Sequence, residues 1–139
     1  MGAVTRFASL ATLVALSVFV SVEAQVADEF AWSELKPSKN LEWVPCYVGK
    51  DCARLSVPLD YSNPDGEKAA IAMVRLHSSV PHDSPEYRGP VLLNPGGPGG
   101  SGVDLALGRG GSIHSIIGPE FDVIGFDPRA GPTKCDTYK

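Results

Sequence analysis

The segment best suited to chemistry is a glycine-rich loop. Five of its nine residues are glycine, in the run Asn94-Pro95-Gly96-Gly97-Pro98-Gly99-Gly100-Ser101-Gly102. Because glycine has no side chain, the backbone N–H groups of such a loop are accessible. Accessible N–H groups at the start of a helix bind negative charge, either a phosphate or an oxyanion that develops during acyl transfer. The loop therefore suggests two kinds of site.

The first hypothesis is a dinucleotide site. Residues 97–102 match the pattern G-x-G-x-x-G, and Asp122 follows 20 residues after Gly102. The loop follows the third predicted strand, however, whereas this fingerprint normally follows the first strand of its fold. Pro98 also lacks an N–H, and Asp122 falls at the start of the next predicted strand rather than at its end. This hypothesis is the weaker alternative.

The second hypothesis is the oxyanion loop of an α/β-hydrolase, which follows the third strand of that fold. Three predicted strands precede the loop, at 53–59, 69–77 and 91–94. The first alternates in polarity, which predicts one solvent-facing side with Arg54 and Ser56. The second is apolar on both faces, and the two form a hairpin. The third is short and apolar, which predicts a buried central strand.

Residues 101–117 carry apolar residues at helical spacing, but three glycines predict a short or broken helix: Gly108, Gly110 and Gly111. A further buried strand is predicted at 121–126. The order is hairpin, strand, glycine loop, helix and strand, and a strand–helix–strand unit favours a parallel crossover. The fold class is therefore α/β. Under the oxyanion-loop hypothesis, these elements are the N-terminal part of an α/β-hydrolase fold with an incomplete sheet.

The first 24 residues have the pattern of a secretory signal peptide. Arg6 precedes an apolar run over 7–20, which is shorter than a membrane span, and small residues precede Gln25. We expect secretion, with no membrane association after cleavage. The predicted domains are a signal peptide at 1–24, an N-terminal arm at 25–45 and a partial α/β-hydrolase domain at 46–139, truncated before the nucleophile.

Net charge and the positions of cysteine and histidine bear on which kinds of binding site are expected. A net charge of −4 argues against nucleic-acid binding. Cys46 and Cys52 can close a small disulfide loop, and Cys135 is left over. His77, His82 and Asp83 lack the spacing of a metal motif, so no metal site is predicted.

Three segments, taken in order, resemble the secreted tripeptidyl-aminopeptidase-like α/β-hydrolases, serine peptidases related to the proline iminopeptidases. They are Trp43 with Cys46 and residues 52–64, then the loop 94–102, then 121–129. One departure is Ala130, where the family has glycine. The resemblance implies a serine exopeptidase that removes short peptides from free N-termini, acts on a peptide or small acyl substrate and uses no cofactor. It also implies that Gly97, with Gly96 beside it, donates the oxyanion-hole N–H.

The other residues of the predicted site support this loop: Asn94, Pro95, Pro98, Gly99, Gly100, Ser101, Asp127 and Arg129. Ser101 is expected to cap the helix. Asp127 and Arg129 are expected to organise the turn after the last strand, as a salt bridge or by contact with the loop. No G-x-S-x-G motif occurs in the sequence. We therefore expect the serine, acid and histidine of the triad to follow downstream, and the chain alone to be inactive.

Overall fold

The computed structural model describes residues 30–129 and the backbone of 137–138. The predicted signal peptide, Cys135 and Ala130 lie outside the described residues. A 3-10 turn at Trp32–Glu34 precedes the regular elements. These are β1 (Val44–Pro45), β2 (Lys50–Pro58), β3 (Lys68–Leu76), β4 (Gly89–Leu93), α1 (Gly102–Ile117), β5 (Phe121–Phe126) and β6 (Thr137–Tyr138).

One open, mixed sheet runs through these elements in the order β1-β2-β3-β5-β4, and β6 pairs with β3. The β2–β3 hairpin is antiparallel, with Lys50 opposite Leu76 and Pro58 opposite Lys68. β3 lies between β2 and β5 in the sheet, and α1 packs against it. The predicted hairpin and the α/β class are confirmed.

The β4–α1–β5 unit is the predicted parallel crossover, with Gly89 opposite Phe121 and Leu93 opposite Gly125. The prediction that β4 is a buried central strand is wrong for the described residues. β4 lies at the end of the sheet order, and the side chain of Leu92 is 60% exposed. A short apolar run indicates that the faces of a strand are buried. It does not show whether other strands pair with one edge of that strand or with both.

The helix α1 is continuous over 16 residues, so the prediction of a short or broken helix is wrong. Two of its glycines, Gly102 and Gly110, lie directly against the sheet. A Cβ at Gly110 would lie 2.9 Å from the Leu76 side chain, and a Cβ at Gly102 would lie 2.2 Å from the Phe126 carbonyl oxygen. Glycine at these positions lets the helix lie against the sheet, and this packing outweighs the low helix propensity of glycine.

The predicted solvent-facing side of β2 is also partly covered. Arg54 is buried, and its guanidinium donates to the carbonyl oxygens of Trp32 (3.2 Å) and Leu35 (3.1 Å). Trp32 is itself buried in the main apolar cluster, and its indole N–H donates to the Tyr47 hydroxyl (3.3 Å). Residues 30–35 of the predicted arm therefore pack over this part of the sheet, which the alternating pattern alone did not predict.

The structure joins Cys46 and Cys52 in a disulfide, six residues apart in sequence. The turn inside this loop is closed by hydrogen bonds between Cys46 and Lys50 and between Lys50 and Tyr47, and Gly49 has a φ of 67°. The disulfide thus fixes the turn that leads from β1 into β2.

Reduction of this disulfide is expected to lower the free energy of unfolding by about 2 kcal/mol, because a short loop constrains the unfolded chain modestly. The measurement is denaturant unfolding of a Cys135→Ser variant with and without reductant. The Cys135 replacement prevents disulfide exchange with the third thiol. Identical unfolding midpoints under both conditions would contradict the expectation.

Among the described residues, no helix is both long enough and apolar enough to span a membrane.

Candidate functional site

The glycine loop leaves the carboxyl end of β4 and enters α1. Two of its glycines need positive φ, Gly96 at 79° and Gly99 at 81°, which side-chain-bearing residues rarely adopt. The side chain of Asn94 accepts a hydrogen bond from the Gly96 N–H at 2.9 Å. Asn94 therefore shapes the first turn of the loop. This contact occupies the Gly96 N–H.

Gly97 is the better donor of the two. The structure shows no hydrogen bond from the Gly97 N–H to another described residue. The turn around it is tight, since a Cβ at Gly97 would lie 2.7 Å from the Gly99 nitrogen. A Cβ at Gly100 would lie 2.5 Å from the Gly96 carbonyl oxygen and 2.9 Å from the ring of Pro95. The backbone path therefore depends on glycine at several successive positions.

Ser101 connects the loop to the helix and confirms the predicted N-cap. Its hydroxyl accepts a hydrogen bond from the Asp104 N–H (3.0 Å) and donates to the Asp127 carboxylate (2.6 Å). The same carboxylate oxygen accepts from the Val103 N–H (3.1 Å), and the Asp127 N–H donates to the Ala72 carbonyl (3.0 Å). Asp127 is fully buried. It thus ties the loop and the positive end of the α1 dipole to β3 and β5.

Arg129 has a different set of partners. Its guanidinium donates to the carbonyl oxygens of Pro58 and Leu59, at 3.3 Å each, and lies over the ring of Tyr61 at 5.6 Å. The guanidinium therefore fastens the turn after β5 to the end of β2. Asp127 faces the glycine loop and Arg129 faces the hairpin, so the two residues organise the turn from opposite sides.

A cleft of about 370 Å³ opens between the loop and the end of β5. The loop forms one side, and Phe126, the last residue of β5, and Pro128 form the other. The lining residues are Asn94, Pro95, Gly96, Gly97, Pro98, Gly99, Gly100, Phe126 and Pro128. The available N–H of Gly97 therefore lies in a loop that borders a cleft next to a helix N-terminus, which is the arrangement that stabilises an oxyanion.

The dinucleotide hypothesis fits this geometry poorly. Asp122 lies opposite Pro90 near the start of β5, whereas the loop follows Leu93 at the other end of the same pair of strands. The carboxylate of Asp122 is also engaged by Ser78 and Tyr87. The sheet is mixed rather than parallel, because β3 pairs antiparallel with β5.

Ser101 and His114 are too far apart to act together in a catalytic triad. His114 lies 13 residues further along α1, which places it roughly 20 Å away at 1.5 Å per helical residue. This distance excludes proton transfer between the two side chains.

A second polar cluster, at the opposite end of β5, was not predicted. The Asp122 carboxylate accepts from the Ser78 N–H (2.7 Å) and the Tyr87 hydroxyl (3.0 Å), and His82 Nε2 lies 3.1 Å from it. Burial would raise the pKa of Asp122, but the hydrogen bonds from Ser78, Tyr87 and His82 outweigh burial and hold the pKa below its ordinary value. The same carboxylate, with burial, raises the pKa of Tyr87.

Asp51 extends this cluster on the neighbouring strands. Its carboxylate pairs with Arg75 at 2.7 Å and with His77 Nε2 at 2.9 Å. Burial opposes ionisation of Asp51, but the contacts with Arg75 and His77 lower its pKa overall. The sequence offered His77 and His82 as candidate ligands but paired them with Asp83. The partner is Asp122, which is 40 residues from His82, and no local spacing could reveal it.

The sequence is similar to several bacterial hydrolases. It is 37% identical to a serine protease Hip1 of Mycobacterium tuberculosis over 106 residues, covering 70% of this chain and 19% of that protein. It is 43% identical to carboxylesterase B of the same organism over 79 residues, covering 56% of this chain and 14% of the relative. It is 31% identical to a tripeptidyl aminopeptidase of Streptomyces lividans over 90 residues, covering 60% of this chain and 16% of the relative.

The chain thus spans less than a fifth of the length of each of these relatives. No protein-family model matches it.

Proposed function

Because the chain belongs to a family of α/β-hydrolases related to serine peptidases, we propose that the whole protein is a serine hydrolase for which this chain supplies the oxyanion loop. The observation that carries the proposal is the Gly97 N–H, which lacks a partner among the described residues and lies in a loop bordering a cleft at the start of α1. In acyl transfer, such an N–H stabilises the negative oxygen of the tetrahedral intermediate.

The supporting contacts explain how the loop keeps its shape before substrate arrives. Asn94 occupies the Gly96 N–H, and Asp127 holds Ser101 at the first turn of α1. An oxyanion donor is effective when it needs no reorganisation during the reaction. The buried position of Asp127 and its bonds to three separate backbone or side-chain groups provide that rigidity.

The finer proposal is an exopeptidase that removes short peptides from free N-termini. A relative named tripeptidyl aminopeptidase supports this choice, and another named serine protease Hip1 supports hydrolysis of peptides more generally. The relative named carboxylesterase B supports the broader class of acyl hydrolases. We propose that the protein acts outside the cell on a peptide or small acyl substrate and needs no cofactor, because a serine nucleophile needs none.

The nucleophile is proposed to lie in sequence that follows these 139 residues, since they contain no G-x-S-x-G motif. The experiment is to sequence the transcript through and beyond Lys139 and to treat the natural protein with a fluorophosphonate probe, which labels activated serines. We expect a continued reading frame with G-x-S-x-G, then an acid and a histidine. We also expect labelling of the whole protein and none of the 139-residue chain.

The comparison substrate pair is a tripeptide amide with a free N-terminus and the same peptide with an acetylated N-terminus. Hydrolysis of the free peptide alone supports the exopeptidase assignment, and equal hydrolysis of both would overturn it. If the message ends at Lys139 and the protein is not labelled by the fluorophosphonate, the proposal of a catalytic protein is wrong and the chain is inactive.

A further inference from the structure

We propose that His77, His82 and Asp122 form a binding site for a divalent transition metal of the zinc class. The site lies at the end of β5 opposite the glycine loop and is separate from the proposed hydrolase chemistry. One potential ligand atom from each residue lies within 4.8 Å of the other two. Two imidazoles and one carboxylate are a ligand set that zinc uses.

The distance between the first two ligands already suits a metal. His82 Nε2 lies 3.1 Å and 3.3 Å from the two carboxylate oxygens of Asp122. Two ligands bound to tetrahedral zinc at about 2.0–2.1 Å lie about 3.3 Å apart. A metal ion can therefore replace the His82–Asp122 hydrogen bond without moving either residue far. His77 is half exposed and can rotate to complete the set, and the exposed rings also leave an entry path from solvent.

Neighbouring groups orient these ligands. The Ser78 N–H and the Tyr87 hydroxyl each donate to a different oxygen of Asp122. The ring of His82 packs against the ring of Tyr87, with their centroids 4.5 Å apart. His77 Nε2 contacts the Asp51 carboxylate at 2.9 Å. Asp122 thus has two hydrogen-bonding partners, and His77 has a carboxylate partner on Nε2 that leaves Nδ1 as its metal-binding atom. Such outer-shell contacts are usual at metal sites, because they fix the orientation of a ligand and raise its basicity.

The local charge also favours a cation. Arg75 is the positive group nearest to the site, but its guanidinium is held 2.7 Å from Asp51 and 4.5 Å from the centre of the Trp43 ring. Its distance to Asp122 is 4.0 Å. With both histidines neutral, two carboxylates and one guanidinium leave a net charge of −1. The Arg75–Asp122 distance of 4.0 Å is longer than the Arg75–Asp51 distance of 2.7 Å, so most of the guanidinium charge is directed at Asp51.

In the first test, the full chain is titrated with zinc chloride and binding is measured by calorimetry. In the second, it is titrated with cobalt chloride and binding is measured by visible absorption. All variants carry Cys135→Ser, so that the third thiol cannot bind the metal. We expect one zinc per chain and the absorption of four-coordinate cobalt. His77→Gln and His82→Gln are each expected to weaken zinc binding at least about tenfold, since loss of an outer-shell partner alone costs roughly that much.

The matched control is His114→Gln, which removes the remaining histidine of the chain, on α1. Zinc affinity is expected to be unchanged in this variant. All three replacements are of partly exposed rings, and circular dichroism confirms that each variant folds. Absence of zinc binding, equal binding by the His82→Gln variant and the parent, or equal weakening by all three replacements would each overturn the proposal.

Discussion

Replacement of Gly100 by alanine is expected to lower kcat of the whole hydrolase by about 100-fold, because a misplacement of about 1 Å in a catalytic site has that effect. The added Cβ would lie 2.5 Å from the Gly96 carbonyl oxygen and 2.9 Å from the Pro95 ring. Both contacts are closer than atoms tolerate, so the loop must open. The Gly97 N–H then moves away from the oxygen of the tetrahedral intermediate.

The measurement is steady-state hydrolysis of a tripeptide amide by the purified whole protein. KM is expected to change by only a few-fold, because the oxyanion forms after substrate has bound. Gly111→Ala is the matched control, since a Cβ at this exposed position of α1 meets no atom within 4 Å. An unchanged kcat in the Gly100→Ala variant, with normal folding, would remove the glycine loop from the proposed mechanism.

The second large effect concerns the contact between α1 and β5. A Cβ at Gly125 would lie 2.0 Å from the Gly102 carbonyl oxygen and 2.6 Å from the Ala106 Cβ. Neither group is the flexible end of a side chain, so the helix must move away from the sheet. We expect Gly125→Ala to lower the free energy of unfolding by about 3 kcal/mol, the upper part of the range for an overpacked core.

The measurement is the thermal unfolding midpoint of the whole protein, which is expected to be lower in the Gly125→Ala variant than in the parent. Gly108→Ala serves as the control, because a Cβ there meets no atom within 4 Å. This control is expected to be more stable than the parent by about 0.5–1 kcal/mol, since alanine favours the helix. Equal midpoints for the Gly125→Ala and Gly108→Ala variants would show that the helix does not approach the sheet this closely.

The local features of the chain followed from the sequence. Alternation of polarity at 53–59, followed by the apolar segment 69–77, predicted the β2–β3 hairpin, because strand side chains alternate with period two. The position of Ser101 before an apolar run predicted the helix cap. The density of glycine at 96–102 identified the loop, since such a loop requires backbone conformations that few other residues adopt.

Other features required the tertiary structure. In α1, Leu76 lies against Gly110 and Phe126 lies against Gly102, and helix propensity contains no information about such contacts. The edge position of β4 depends on strand order, which the apolar pattern of a short segment does not specify.

Two polar contacts were also not predicted from the sequence, because they too depend on the tertiary structure. The Asn94 contact that occupies the Gly96 N–H depends on backbone angles within the loop. The cluster of His77, His82 and Asp122 depends on β5 lying beside β3, so residues 40 or more positions apart meet. The sequence therefore determined the element types and the glycine loop, through short-range periodicity and conformational preference. Which side chains meet across the sheet was decided only by strand order and register, since these set distances between residues that are remote in the chain.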